Sequence, residues 1–227
     1  MEARDLRRTA RENLAGNWLL SVGVTFVAGL LGGIITSSGG RINIELDEHM
    51  IRDLPRIVMV YLKFVGSVAG ILSFVNFIIG GVIQLGYAQY LLKQHDKGAF
   101  EFSDLFSQFH RFGQGFAQAF LRGLYIFLWS LLFIIPGIVK SFSYAMTPFI
   151  MAENPDLTAN EAITASRQMM DGHKADLFLL DLSFIGWSFL AALSANLGNI
   201  PLNPYKNAAR AAFYRQLQAE EKYTIYE

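Results

Sequence analysis

The sequence predicts an all-α, polytopic membrane protein, on two main observations. Four long windows are almost free of charge. Residues 13–40 and 64–92 carry no charged side chain, 112–152 carry only Arg122 and Lys140, and 177–205 carry only Asp181. A hydrocarbon core about 30 Å thick needs roughly 20 apolar helical residues, so each window is long enough to cross. The composition agrees: 52% of the 227 residues are hydrophobic and 17% charged, against about a quarter charged in soluble domains.

Other function classes recede on the same numbers. Nineteen basic residues balance nineteen acidic ones, so net charge argues for no nucleic-acid partner. There is no cysteine and there are four scattered histidines without a His-x-x-x-His pair. That leaves little basis for a metal site, and none is expected. Gly-x-Ser-x-Gly, Walker, His-Glu-x-x-His and Gly-x-Gly-x-x-Gly motifs are missing, so neither catalytic residues nor a cofactor are expected. The chain reads as one integral membrane domain, residues 1–227.

Taken in order, GNWLLSVGVTFVAGLLGGIITSS forms a first span, followed by the polar loop GGRINIELDEHMIRDLPR. The first apolar run is too long for a secretory signal core, so it reads as an uncleaved span. The second window yields a span over about residues 63–87, with Lys63 snorkelling to the interface. In FLWSLLFIIPGIVKSFSYAMTPFIMAENP, Pro136 and Gly137 make either one kinked helix or two short helices meeting at a turn. LGNIPLNPY poses the same choice through Gly198, Pro201 and Pro204. About six spans are expected, with four if both windows run through.

A repeat favours six. ARENLAG at 10–16 and SRQMMDG at 166–172 share small-Arg-x-x-(Leu/Met)-x-Gly, with Gly placed for a left-handed helix cap. Each precedes an apolar span. Ala3, Leu6, Ala10 and Leu14 share one helical face; Ala159, Ala162, Ile163, Ser166 and Met170 share another, behind a capping box from Thr158 to Glu161. Phe102, Leu105, Phe106 and Phe109 form the cleanest helical face between them. The expectation is three units (1–92, 101–152, 157–215), each an interfacial amphipathic helix followed by a helical hairpin. Arg4, Arg7, Arg8, Arg11, Lys93, Lys97, Arg111, Arg167, Lys174, Lys206, Arg210, Arg215 and Lys222 then fall on one side, and Arg41, Arg52 and Arg56 on the other. That bias places both termini in the cytoplasm, in a multi-pass cell-membrane protein.

The phrases IPGIVKSFSYAMTPFIMAENPDLTANEAITASRQMMDGHKADLFLLDLSFIGW and NPYKNAARAAFY, with LRRTARENLAGNW near the start, carry a resemblance. The chain resembles a family of uncharacterised integral membrane proteins of Gram-positive bacteria, classed only as a domain of unknown function. The specific part is residues 134–214. More distantly, it is similar to the membrane part that precedes some bacterial glycerophosphodiester phosphodiesterase domains, without the phosphodiesterase domain. The resemblance implies a bacterial cell membrane and supplies no activity.

Two groups of residues stand out as candidate sites. Arg167, His173 and Lys174 follow or flank the helix-ending Gly172. They either contact anionic lipid headgroups or simply snorkel to the surface. Asp181 lies within an apolar span, where an ionisable group is costly and faces a partner or water. Depth makes Arg122 its expected partner. Gly29 with Gly33, and Gly66 with Gly70, have the four-residue spacing of close helix packing, within the chain or in self-association. The expected function is a non-enzymatic membrane scaffold or accessory protein contacting membrane lipids or another membrane protein. A small transporter or channel is the alternative.

Overall fold

Gly16 and Gly172, at matching positions of the repeat, both take a left-handed backbone, with φ of 83° and 81°. They stop α1 (Ala3–Leu14) and α7 (Ala159–Met169) and turn the chain into α2 (Trp18–Gly32) and α8 (Lys174–Leu182). Glycine adopts this conformation without a Cβ penalty. Between them lie α3 (Arg56–His95), two short 3-10 turns (Phe102–Phe106, Phe109–Arg111), α4 (Phe112–Leu132), α5 (Ile134–Ser143) and α6 (Thr147–Glu153). The chain ends with α9 (Ile185–Leu193) and α10 (Asn199–Thr224). This computed structural model describes residues 3–32, 56–194 and 197–224, with side-chain surroundings for 3–29, 73–194 and 197–220. Over those residues it is helical, without a strand.

The repeated helices bury the faces their sequences predict. Leu6, Ala10 and Leu14 of α1, and Ala159, Ala162, Ile163 and Ser166 of α7, are all buried. The Thr158–Glu161 capping box is formed in both directions. Thr158 N–H donates to the Glu161 carboxylate at 2.8 Å, and Glu161 N–H donates to Thr158 Oγ1 at 3.4 Å. The middle unit departs from its expectation. Phe102 to Arg111 forms 3-10 turns, in which Leu105 is buried while Phe102, Phe106 and Phe109 stay exposed. The three rings contact one another in a row, with centroids 5.9 and 5.8 Å apart. A 3-10 helix aligns positions three apart, so an α-helical face does not form.

Among the described residues, four stretches are long and apolar enough to cross a membrane: Ser73–His95, Phe102–Leu132, Ile134–Glu153 and Lys174–Leu193. This points to a membrane protein. Two more segments were needed for six spans, α2 and the first half of α10. α2 is described over 15 residues, Trp18–Gly32. α10 carries Lys206, Asn207 and Arg210 in its first half.

Pro136 does not kink a continuous helix. The break comes earlier, where Phe133 is extended (φ −158°, ψ 147°) between α4 and α5. Pro136 then sits in the first turn of α5, where no intrahelical bond is lost. The two helices close into a hairpin at Gly137, whose added Cβ would lie 2.9 Å from Ser130 Cα. Leu131, Leu132, Phe133, Ile134 and Ile135 at its tip are 65–76% exposed. Each such side chain left in water forgoes roughly 1.5–3 kcal/mol, so the tip is built for an apolar medium. Gly198 plays the corresponding part after α9, since its Cβ would meet Ala191 Cα at 2.8 Å.

α3 and α4 cross with their backbones in contact. A Cβ on Gly81 would lie 2.1 Å from the Gly115 carbonyl oxygen, and one on Gly115 would lie 2.7 Å from Val82 Cα. Gly86 similarly lets the Leu105 carbonyl approach. These differ from the glycine pairs expected above. Gly29 is buried in α2, Gly33 lies outside the described residues, and the surroundings of Gly66 and Gly70, like those of Lys63, are not described.

Polar groups tie α2, α3 and α10 together. Ser21 and Tyr90 share a hydrogen bond of 3.1 Å, and Thr25 and Tyr87 one of 2.8 Å. Gln94 donates to Ser21 Oγ at 2.7 Å, and Asn207 of α10 donates to the Tyr87 hydroxyl at 3.0 Å. Nearer the ends of α3 and α6, Arg215 of α10 donates to both Asp96 and Glu153. Burial alone lowers the Arg215 pKa, but these two carboxylates reverse the effect and raise it.

Two outcomes follow from this packing. Gly81→Ala should destabilise the protein in detergent by about 1–3 kcal/mol, because backbone must shift. Gly123→Ala in the same helix pair meets open space and should be neutral or slightly stabilising; thermal unfolding of both variants checks this. The Glu161 carboxyl is held below its usual range, first by the Thr158 backbone hydrogen bond and then by the Thr158 side chain. Its contribution is therefore present above the unfolded carboxylate pKa and lost as pH falls through the lower folded value. Glu161→Gln should remove that acid-side slope from a melting-temperature titration.

Candidate functional site

The α4 helix carries a polar stripe on an otherwise apolar surface. Gln114, Gln118, Arg122 and Tyr125 recur at helical spacing, following Arg111 at the helix start. Each reaches another element. Arg111 donates to the carbonyls of Met151 at 3.1 Å and Pro155 at 3.0 Å, and Gln114 donates to Pro155 at 3.3 Å. Gln118 donates to the Gly81 carbonyl at 3.4 Å, and Tyr125 to Asn160 at 2.9 Å. Arg122 donates from Nη2 to Gln84 Oε1 at 2.7 Å.

Arg122 is therefore not the partner of Asp181, and the expected pair is corrected. Asp181 is held by Arg210 in a two-pronged contact, Nη2 to Oδ2 at 2.8 Å and Nε to Oδ1 at 3.2 Å. Such parallel bonds are the strong form of an arginine–carboxylate pair. The reason lies in the hairpin. Packing of α10 against α8 and α9 brings Arg210 to face Asp181, whereas the charge count had placed it only among the cations of the cytoplasmic side. A signal was available: Asp181 and Arg210 lie 15 and 14 residues from position 196, close to the Gly198 turn. Lys206, one helical turn earlier, donates to Ser188 of α9 at 2.8 Å.

Arg122 and Arg210 nevertheless come to one place. Both line a cavity of about 180 Å³, together with Gln84, Tyr87, Asn207 and Phe149. Among the described residues, Asp181 is the one carboxylate ion-paired with Arg122, Lys206 or Arg210. The cavity thus lies between α3, α4, α6 and α10 and is lined by two cations, Arg122 and Arg210, of which Arg210 is paired with Asp181 of α8. Sequence reasoning had singled out Arg122 and Asp181 but missed Arg210, Lys206 and Asn207.

The other candidate group is divided. Lys174 donates to Asp171 at 3.0 Å and holds its carboxyl below the usual range, and His173 Nδ1 lies 3.2 Å from Asp176. Arg167 is exposed and, among the described residues, forms no ion pair. It lines a separate cleft of about 320 Å³ with Tyr125, Trp129, Tyr144 and Asn160. Lys140 sits over the Trp129 ring, 4.7 Å from its centroid. The single cationic cluster expected from GHK therefore resolves into two partly neutralised residues and one arginine in an aromatic surround.

A double-mutant cycle distinguishes the two partners of Asp181. Asp181→Asn with Arg210→Gln should show a coupling of about 1–2 kcal/mol in thermal unfolding. Asp181→Asn with Arg122→Gln should couple by less than about 0.5 kcal/mol.

Comparison with known proteins adds one finding. No curated protein and no solved structure matches the chain. A family model described as "Protein of unknown function (DUF975)" matches residues 1–141 and 134–221. Together these matches run through nearly all the helices described above, and the chain belongs to that family, one of unknown function.

Proposed function

We infer that the protein is a non-enzymatic, multi-pass cell-membrane protein that serves as a scaffold or accessory factor, contacting anionic lipid and a partner membrane protein. The observation that carries this reading is the distribution of its surface. Bulky apolar side chains cover α4, α5, α8 and α9, including Phe127, Leu131, Phe133, Ile185, Trp187 and Phe189, each more than half exposed. Beside this surface Arg167, without a counter-charge among the described residues, lines a cleft of aromatic residues. Aromatic rings favour the headgroup level of a bilayer, and arginine matches phosphate. The reading places six passes in the membrane, with α2 and the start of α10 as the shorter ones and both termini cytoplasmic.

Absence of native cysteine makes the topology directly measurable. Single cysteines at Lys97 and Ser194 should be labelled by an impermeant maleimide from opposite faces; labelling from the same face would defeat the six-pass arrangement. Each cation near anionic headgroups contributes about 1 kcal/mol, so Arg167→Ala should reduce phosphatidylglycerol retained in native mass spectra about fivefold. Lys174→Ala, already offset by Asp171, should have the smaller effect. Identical lipid retention in both variants and wild type would remove the lipid-contact part of the proposal.

A small transporter or channel is the second reading, favoured by the polar cavity between spans. Reconstituted vesicles separate the two. Transport requires solute flux that falls in Arg122→Gln and Arg210→Gln, whereas a scaffold shows no flux and co-purifies with a partner.

A further inference from the structure

We propose that the cavity between α3, α4, α6 and α10 is an oxyanion-binding site, taking a carboxylate or phosphate group between Arg122 and Arg210. The inference does not depend on whether the protein is a scaffold or a transporter. It rests on charge, donor inventory and size.

Both oxygens of Asp181 are engaged by Arg210. Arg122 is left facing the neutral amide oxygen of Gln84. An arginine cannot shed its proton to escape burial, and a charge inside a span without a counter-ion is costly. Lys206, one turn before Arg210, donates to Ser188 outside the cavity and brings no counter-charge to it. An anion entering the cavity offsets this imbalance, whereas a cation adds to it.

The donors fit the same ligand. A guanidinium has five N–H groups, and Arg122 spends one of them on Gln84. Arg210 spends two on Asp181. The remaining N–H groups of both side chains, with the second N–H of the Asn207 amide, supply donors to the cavity. Phe149 and Leu91 supply an apolar wall. At about 180 Å³ the space is below the roughly 300–1,000 Å³ of sites for drug-sized molecules. It suits a compact oxyanion or the phosphate of a lipid headgroup.

The test uses the full-length protein in a zwitterionic detergent. Thermal unfolding is followed during titration with inorganic phosphate and with acetate at constant ionic strength. In parallel, native mass spectra are recorded after adding phosphatidylglycerol or phosphatidylcholine. Wild type should show saturable stabilisation by an oxyanion or selective retention of the anionic lipid. The first result alone identifies a small soluble ligand, and the second a headgroup. Arg122→Gln should weaken the response at least tenfold. Arg122→Lys should recover part of it, since lysine restores the charge without the planar fork.

Asn207→Asp provides the check that is independent of weakened folding. It places a carboxylate in the cavity, so it should raise the melting temperature without ligand and abolish the oxyanion response. No saturable response in wild type, or an unchanged response in Arg122→Gln or Asn207→Asp, would overturn the proposal. Loss in Arg167→Ala with retention in Arg122→Gln would also overturn it, by placing binding at the surface cleft.

Discussion

In hydrocarbon a polar side chain has no water to return to, so each one brought into a helical bundle must find its partner within the protein. That constraint organises this fold through α4. Its polar stripe, from Arg111 through Tyr125, bonds in succession to the α6–α7 connection, α3 and α7. Lipid supplies little hydrophobic drive for helices to associate, and interhelical hydrogen bonds contribute about 0.6 kcal/mol on average. Their number matters more than the strength of any one.

Those bonds form only because backbones come close. Gly81 and Gly115 let α3 and α4 touch, which brings Gln84 within reach of Arg122 and the Gly81 carbonyl within reach of Gln118. Gly137 and Gly198 do the same for the α4–α5 hairpin and the turn into α10. The return of α10 then delivers Arg210 to Asp181 and Asn207 to Tyr87. Close packing and polar satisfaction are therefore one device, with small residues setting the distance and polar residues using it.

The cations divide into those that are paired and those that face no carboxylate among the described residues. Arg215 is fully engaged by Asp96 and Glu153, and Arg111 by carbonyl oxygens, so both act as struts. Lys174 and His173 are offset by neighbours on their own turn. Arg122 and Arg167 are different: one faces an internal cavity and the other an aromatic cleft, each without a carboxylate among the described residues.

The sequence by itself determined the helical class, the membrane character, the buried faces of α1 and α7 and the two glycine stops. Each of these depends on local spacing: apolar run length, a 3.6-residue period, or a residue that needs positive φ. The hairpin break was legible from Pro136 and Gly137, although Phe133 carries it. Local pattern misjudged residues 102–111, because an i, i+3, i+4 series cannot distinguish an α-helix from consecutive 3-10 turns. Tertiary structure alone decided which charges meet. Depth along the spans pointed Asp181 to Arg122, and only the packing of α10 chose Arg210 and left Arg122 beside the cavity. Pairing across a bundle depends on register and crossing distance between remote helices, and those are properties of the assembled backbone that no single stretch of sequence contains.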